Sequence, residues 1–488
     1  MVFRHLIFYL EQFYGTYQST FGNGTGRLPL LVIPIHEFNG GFSRSCENLC
    51  FFKAMNAWIS RLPKISVLLI GGLSLWITAN LHWGKEHWHS VLQADANGYF
   101  AYLPAVFIYQ DLTYGFYDQI EHDTYKELHQ GIDYREDVNH RKVNKFYCGT
   151  PLFWTPFYAI AHWHTKATGL PIDGYSKWYR LWITIASVFY LTLGLWWLNL
   201  WLRETGLKPW PRVVSIWAGF FGTHLFYYTV GEPGLSHVYS FSMMALFAWQ
   251  AHRYFQQPHG KHLPWLAISL AFLILLRPVN GLALFATPLL AGSWRQWVRG
   301  MKSLLHFPTS LVLSLVGGLL LLSIQLLIYK ISVGQWLVYS YTEEGFNFDA
   351  PQIFNFLFSY KKGFLLYTPL AVFALSGLVG WWKTQRFRFW SWLGFFALVV
   401  YVLSSWWNWW YGGSFSQRPM VEYLPFFILL LAHSWQSLQH HWQRLGWMVA
   451  CVLLVGFTQF QTIQYRYYLI HWEAMDAEKY WEVFGQLP

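Results

Sequence analysis

Long apolar runs separated by short polar stretches dominate the chain. Residues 65–80, 181–202, 213–230, 235–250, 307–329, 364–382, 389–407, 423–435 and 446–460 contain almost nothing ionisable. About twenty apolar residues at ~1.5 Å each cross the hydrocarbon of a bilayer, where only a helix or a closed barrel satisfies every backbone polar group. Each run is therefore expected to form a membrane helix, the shorter ones extended by Trp, Tyr or polar flanks. Two further runs, 263–276 and 279–291, meet at Arg277 and Pro278. Each is short for a span, and together they are too long for one straight helix, so the pattern predicts a hairpin or a broken pair. The reading is an all-α polytopic integral membrane protein with about eleven crossings.

Composition strengthens this reading. Only 12% of the residues are charged while 54% are hydrophobic, and a soluble chain carries about twice that charged fraction. Such a chain cannot cover a soluble surface. The 34 Lys and Arg against 24 Asp and Glu give +10, a balance that by itself also fits a nucleic-acid partner. Topology accounts for it better. With the end of the first span outside, the inner loops hold Arg203, Lys208, Arg212, Arg253, Lys261, Arg295, Arg299, Lys302, Lys383, Arg386, Arg388 and Arg444, and Arg61 and Lys64 precede the first span. This is the positive-inside bias of a multi-pass protein of a plasma membrane, here read as a bacterial inner membrane. No basic surplus is left for nucleic acid.

The same alternation defines a transmembrane domain over 55–461, a large first extracytoplasmic loop over 82–178, a second outer loop over 330–363 and an extracytoplasmic tail over 462–488. Two aromatic-rich patches in the first loop, 99–109 and 151–162, are too short to cross and are expected to be juxtamembrane helices at headgroup level. Residues 1–54 lack a sustained period, and Met55 stands just ahead of Arg61 and Lys64. They read as an extension, with Met55 as an alternative start. Cys46 and Cys50 have three residues between them, unlike a CxxC pair, and Cys148 and Cys451 lie far off. Cysteine thus points to neither a redox nor a zinc site.

Polar residues inside apolar surroundings are costly near a bilayer and are the first functional candidates. Most fall on the outer side: Asp95 and Tyr99 in "LQADANGYFAYLPAVF", Glu232 and His237 in "TVGEPGLSHVYSF", Lys361 and Lys362 in "FLFSYKKGFLLYTP", and Arg418 and Glu422 in "WWYGGSFSQRPMVEYLP". Arg277 in "FLILLRPVNGLALF" joins them if its break lies near that face. Cations gathered in a membrane cavity suit an anionic ligand such as a phosphate, and an acid among them suits proton transfer or a divalent metal. Each residue has a structural alternative. Asp95 could cap a helix, Lys361 and Lys362 could snorkel, Glu232 and His237 could be solvated loop residues, Arg277 could sit in an ion pair, and Arg418 could pair with Glu422 four residues on. The chain has no GxGxxG opening a βαβ unit, no Walker loop and no HExxH.

The sequence resembles the membrane glycosyltransferases of the GT-C superfamily, in the lipid A aminoarabinose transferase and protein O-mannosyltransferase-like branch. The resemblance rests on "DANGYFAYLPA" after the first span, "YCGTPLFWTPFYAIAH", "EPGLSHVYSF", "LLRPVNGL" and "FSYKKGFLLYTP", in that order between about residues 64 and 460. It implies a GT-C-like helical bundle and transfer of a sugar from a polyprenyl-phosphate donor to a hydroxyl of a lipid, glycan or protein on the outer side. On this resemblance Asp95 matches the first-loop acid that activates the acceptor or assists a divalent cation, Mg²⁺ or Mn²⁺. Two departures stand out. Gly149 and Thr150 replace the expected cation and first proline of the family's Lys-Pro-Pro-Leu step, and Ala96 replaces the second of two adjacent acids. Tyr99, Glu232, His237, Arg277, Lys361, Lys362, Arg418 and Glu422 are then the expected substrate-binding set. Two alternatives share the topology. One is a ligase or polymerase of lipid-linked glycans; the other is a transporter or flippase, favoured by the break near Arg277.

Overall fold

The computed structural model describes residues 41–126 and 133–488; the expectations for residues 1–40 lie outside the described residues. The chain divides into two units, Met1–Ala57 and Trp58–Pro488, and the candidate site belongs entirely to the second. Helix α1 (Gly41–His82) is followed by α2 (Asp95–Phe107), a hairpin of β1 (Arg135–Val138) and β2 (Arg141–Asn144), and α3 (Gly149–Thr168). Next come α4 (Lys177–Glu204), α5 (Pro209–Phe221), α6 (Leu225–Val230), α7 (His237–Gln256) and α8 (Leu263–Leu276). A 3-10 segment (Pro278–Ala286) leads to α9 (Thr287–Ala291), α10 (Trp294–Ser303), α11 (Pro308–Val333), α12 (Ile353–Phe358), α13 (Phe364–Tyr367), α14 (Pro369–Ala374) and α15 (Ser376–Thr384). The chain closes with α16 (Arg386–Ser404), a 3-10 turn (Arg418–Tyr423), α17 (Leu424–Ser437), α18 (His441–Arg466) and α19 (Ala477–Val483).

Among the described residues, five helical stretches are long and apolar enough to cross a membrane: Trp58–His82 in α1, α4, α11, α16 and α18. They are fewer than the crossings that the apolar runs predict, because several runs are interrupted. Run 364–382 becomes α13, α14 and α15, since Pro369 has no N–H and holds Thr368 out of the helical region, at φ −135° and ψ 63°. Run 213–230 breaks after α5. There α18 supplies the missing partners: Thr458 donates to the Gly222 carbonyl at 3.2 Å and Gln459 to the Phe221 carbonyl at 2.5 Å. Such replacement is what permits a broken helix away from water. The break at Arg277 forms as the sequence predicts, between the shorter apolar stretches Gly260–Leu276 and Pro278–Ala291.

The loop over 82–178 holds both expected helices. One needs correction: α2 is buried from Ala96 to Ala105 and is a core element rather than an interfacial one. The hairpin is not legible in the apolar pattern. It pairs Arg135 with Asn144 and Val138 with Arg141 across Asn139 and His140, both at positive φ, in a two-residue turn whose twist suits antiparallel strands. At the other end, α18 continues to Arg466, beyond the predicted start of the tail.

α7 is the hub. It packs on α4 and α8, α8 packs on α11, and α17 packs on α5 and α15. Gly194 lets α4 approach α7 closely, because a Cβ there would lie 2.9 Å from the Ser242 Cα.

Candidate functional site

Asp95 opens α2, and Ala94 before it has φ 48° and ψ −122°, a conformation costly for a residue with a Cβ. The main chain closes the first turn itself: the Ala96 N–H donates to the Gln93 carbonyl and the Asn97 N–H to the Ala94 carbonyl, both at 3.0 Å. The Asp95 side chain therefore caps nothing. Its Oδ2 instead meets the Arg418 Nη2 at 2.7 Å. Two more non-glycine residues at positive φ, Tyr411 and Ser416, lie in the loop that delivers Arg418. Backbone strain thus gathers in the two segments that build this pair.

Arg418 and Glu422 do not pair with each other. They share a 3-10 turn, in which residues three apart eclipse and residues four apart diverge. Glu422 turns the other way and its Oε1 accepts from the Arg277 Nη1 at 3.0 Å and lies 3.1 Å from the His237 Nδ1. Arg277 is extended, at φ −156° and ψ 121°, where α8 stops, and its guanidinium faces the Tyr411 ring. Four distant segments thereby converge. Side-chain exposure separates their roles: Glu422 is 0% exposed, whereas Asp95, Arg418 and Arg277 remain 22%, 15% and 18% exposed. The last three are what a ligand can reach.

Tyr99, one turn along α2 from Asp95, points its hydroxyl at the Ser236 Oγ 3.5 Å away. Glu232 accepts from the Tyr227 hydroxyl at 3.0 Å. Burial pushes its carboxyl up to about 7, opposed by that hydrogen bond and by the charges of Arg418 and Lys362. The two lysines part company. Lys362 is buried, donates to the carbonyls of Ser414 and Trp472, and burial lowers its amine to about 7 against the pull of Glu232. Snorkelling does not describe it. The Lys361 amine instead sits 3.7 Å above the Trp410 ring.

The departure at Gly149 has a steric cause. A Cβ there would stand 2.3 Å from the Leu275 carbonyl carbon and the Leu276 nitrogen, so α3 abuts the end of α8 and no cationic side chain fits. Sequence reasoning missed Tyr341, which lies in electrostatic reach of Asp95, Tyr99 and Arg277. It sits in the second outer loop, tied down by Glu344 to Lys145 at 2.5 Å and by Ser340 to the Lys145 carbonyl at 2.7 Å. The acidic pair Glu343–Glu344, the first acids after Glu232, was the available signal. Trp472 offered none, because only its carbonyl is used. Among the described residues no three His, Cys, Asp or Glu side chains gather as a metal site; Mg²⁺ or Mn²⁺ at Asp95 would compete with Arg418. Comparison with protein-family models, curated proteins and solved structures returns no match for this chain.

Proposed function

We propose that the protein is a membrane glycosyltransferase that passes a sugar from a polyprenyl-phosphate donor to a hydroxyl of a lipid, glycan or protein acceptor on the extracytoplasmic side. The observation that carries this reading is the Asp95–Arg418 pair at 2.7 Å, part-exposed, beside the Arg277–Glu422–His237 network. A guanidinium that holds a carboxylate matches a phosphate equally well. The donor phosphate displaces Asp95 from Arg418 and is flanked by Arg277, whose orientation Glu422 and the Tyr411 ring fix. Asp95, released, accepts the acceptor's hydroxyl proton as that oxygen bonds to the anomeric carbon. The bond from the anomeric carbon to the phosphate oxygen breaks with inversion, and its electron pair leaves with the polyprenyl phosphate. That leaving group is stable as an anion and needs no proton. Arg418 and Arg277 face the charge as it develops, which lowers the barrier more than it tightens the ground state. Lys362, held by carbonyls, and Lys361, over Trp410, raise the local potential from behind, while Tyr99, Glu232 and His237 line and orient. No step is routed through a metal.

The test is transfer by protein reconstituted in liposomes with a prenyl-phosphate-linked sugar. Asp95→Asn is expected to lower the rate by about 10²–10⁴-fold at unchanged folded level, the range lost with a general base. Wild-type transfer by that variant would remove the mechanism. Mass spectrometry of the products covers the alternatives: a diphosphate-linked oligosaccharide as sole donor would make the protein a ligase or polymerase, and movement without a new covalent bond would make it a transporter.

A further inference from the structure

A second built feature lies along α16, outside the set of site residues. The Ser404 end of this helix adjoins the second outer loop, where the Ser405 carbonyl accepts from the Asn347 N–H and the Ser404 carbonyl from the Gln352 N–H. Towards its Arg386 end, α16 forms one wall of a groove of about 380 Å³ whose other wall is the segment around α9. Phe285, Pro288, Phe387, Trp390 and Leu398 line it, and Gly394 lies along its α16 wall. The glycine keeps it open: a Cβ at Gly394 would meet no atom within 4 Å, so no packing within the protein requires glycine there. Phe285 and Trp390 are exposed on the protein surface. In a helix that is one of the candidate spans, that surface faces acyl chains.

The rim is charged in one sense only. Arg388, next to Phe387, bends its guanidinium against Gly292 beyond α9, where a Cβ would come within 2.7 Å of its Nη2. Its Nη1 donates to the Gln385 Oε1 at 2.6 Å, and no carboxylate pairs with it among the described residues. His252 and His433 feel its charge and, being bases, cannot neutralise it, while Glu204, the carboxylate that acts on His252, pairs with Arg203 and Arg253. Nor can the flanking sequence supply an acid, because positions 233–342 and 350–421 contain neither Asp nor Glu. Beside the rim runs α10, "WRQWVRGMKS", with Trp294 exposed and in ring contact with Phe387, and with Arg295, Arg299 and Lys302 on the same short helix. Trp and Arg alternating on a short amphipathic helix mark headgroup level.

We propose that this groove is a binding site for an anionic phospholipid, with one acyl chain along Gly394 and the phosphate at Arg388. A guanidinium without a carboxylate partner is left to a phosphate, which it can meet with two parallel N–H donors. The apolar channel fixes the chain that a zwitterionic lipid would also offer, so anion selectivity resides in Arg388 and occupancy in Gly394. The site is independent of the proposed transfer chemistry.

The experiment is native mass spectrometry and thermal unfolding of the full chain in detergent, titrated with phosphatidylglycerol, phosphatidylcholine or inorganic phosphate. Wild type is expected to retain phosphatidylglycerol at least about tenfold more tightly than phosphatidylcholine, a difference of ~1.4 kcal/mol. Arg388→Gln should erase that preference while keeping weak binding of both lipids. Gly394→Phe should weaken both, and since its side chain enters open space the lipid-free protein should unfold at the wild-type temperature. Equal retention of the two lipids by wild type, an undiminished preference in Arg388→Gln, or full phosphatidylglycerol binding in Gly394→Phe would each overturn the proposal. So would inorganic phosphate reproducing the stabilisation by phosphatidylglycerol, because a free-anion pocket needs no groove.

Discussion

Helices α11 and α7 sit at opposite extremes of this fold. α11 has 26 residues, and its most apolar 18-residue window has a mean hydropathy of 2.5, yet only 17% of that window is buried. α7 has 20 residues, is buried along most of its length, and encloses Ser240, Ser242, Gln250 and His252. The more apolar helix is outside and the more polar one inside, the reverse of a water-soluble core. Lipid makes no demand for polar surface, so apolarity along this chain reports contact with acyl chains. Polarity reports the interior, where the protein itself offers partners: the Asn280 Nδ2 donates to the Ser240 Oγ at 3.2 Å, and the His252 Nδ1 lies 2.9 Å from the Leu290 carbonyl. The candidate site grows from the α7 end of this contrast, through His237. α11 contributes no site residue.

The sharpest way to break the contrast is to strand a charge beside α7. Arg277→Met leaves Glu422 without its cation and Glu422→Leu leaves Arg277 without its anion, each expected to cost about 3–5 kcal/mol, whereas the double variant should return most of the loss. Chemical unfolding in detergent reads this. Single variants no worse than the double would mean that the pair is not a buried ionic unit.

Packing gives the next effect in size. Gly194→Leu drives a side chain into Ser242 and the Phe241 ring, with contacts of 2.9 and 3.0 Å already at the Cβ, and should cost about 1–3 kcal/mol. Gly317→Leu on α11 meets nothing within 4 Å and should change stability by no more than about 0.5 kcal/mol. Similar losses at the two positions would erase the distinction between the helices.

A smaller, pH-dependent effect comes from the segment between α2 and β1. Glu121 is buried there, and its hydrogen-bond donors among the described residues are phenols, Tyr134 at 2.6 Å and Tyr175 at 2.5 Å, in contrast to Glu422 with its guanidinium. Burial raises its carboxyl from 4.5 to about 7, against the two hydrogen bonds. The folded segment therefore holds the proton more tightly than the unfolded one. Its contribution to stability is fully present below 4.5 and is lost as pH rises to about 7. Hydrogen exchange of residues 118–124, corrected for intrinsic rate, should show more protection at pH 5 than at pH 8, and Glu121→Gln should flatten the difference. A wild-type profile without slope would place that proton elsewhere.

Much of the candidate site was legible as a list of residues, because ionisable side chains in apolar surroundings are few. Asp95, Tyr99, Glu232, His237, Arg277, Lys362 and Glu422 all lie within electrostatic reach of Arg418. The pairing was not legible. The spacing of Arg418 and Glu422 suggests a mutual pair, and a 3-10 turn sends them to separate partners, each more than a hundred residues away in sequence. The adjacent lysines look equivalent in sequence, and only the fold separates the buried amine of Lys362 from the one stacked on Trp410.

By itself the sequence determined the solvent of this protein. Long apolar runs, scarce charge and basic loops leave membrane helices as the way to satisfy the backbone, and Pro278 after Arg277 removes a backbone donor and disfavours the helical region at Arg277. Those properties are local, set by transfer energy and by the missing N–H of proline. Tertiary structure alone decided which runs stay whole, that α2 is core, that Gly149 excludes a cation, and that Asp95 meets Arg418. Each of these depends on a group arriving from elsewhere: side chains of α18 at the break after α5, the end of α8 against Gly149, and Arg418, which follows the Tyr411–Gln417 loop, at Asp95. A hydrogen bond or a steric limit of that kind has no signature in the residues that receive it.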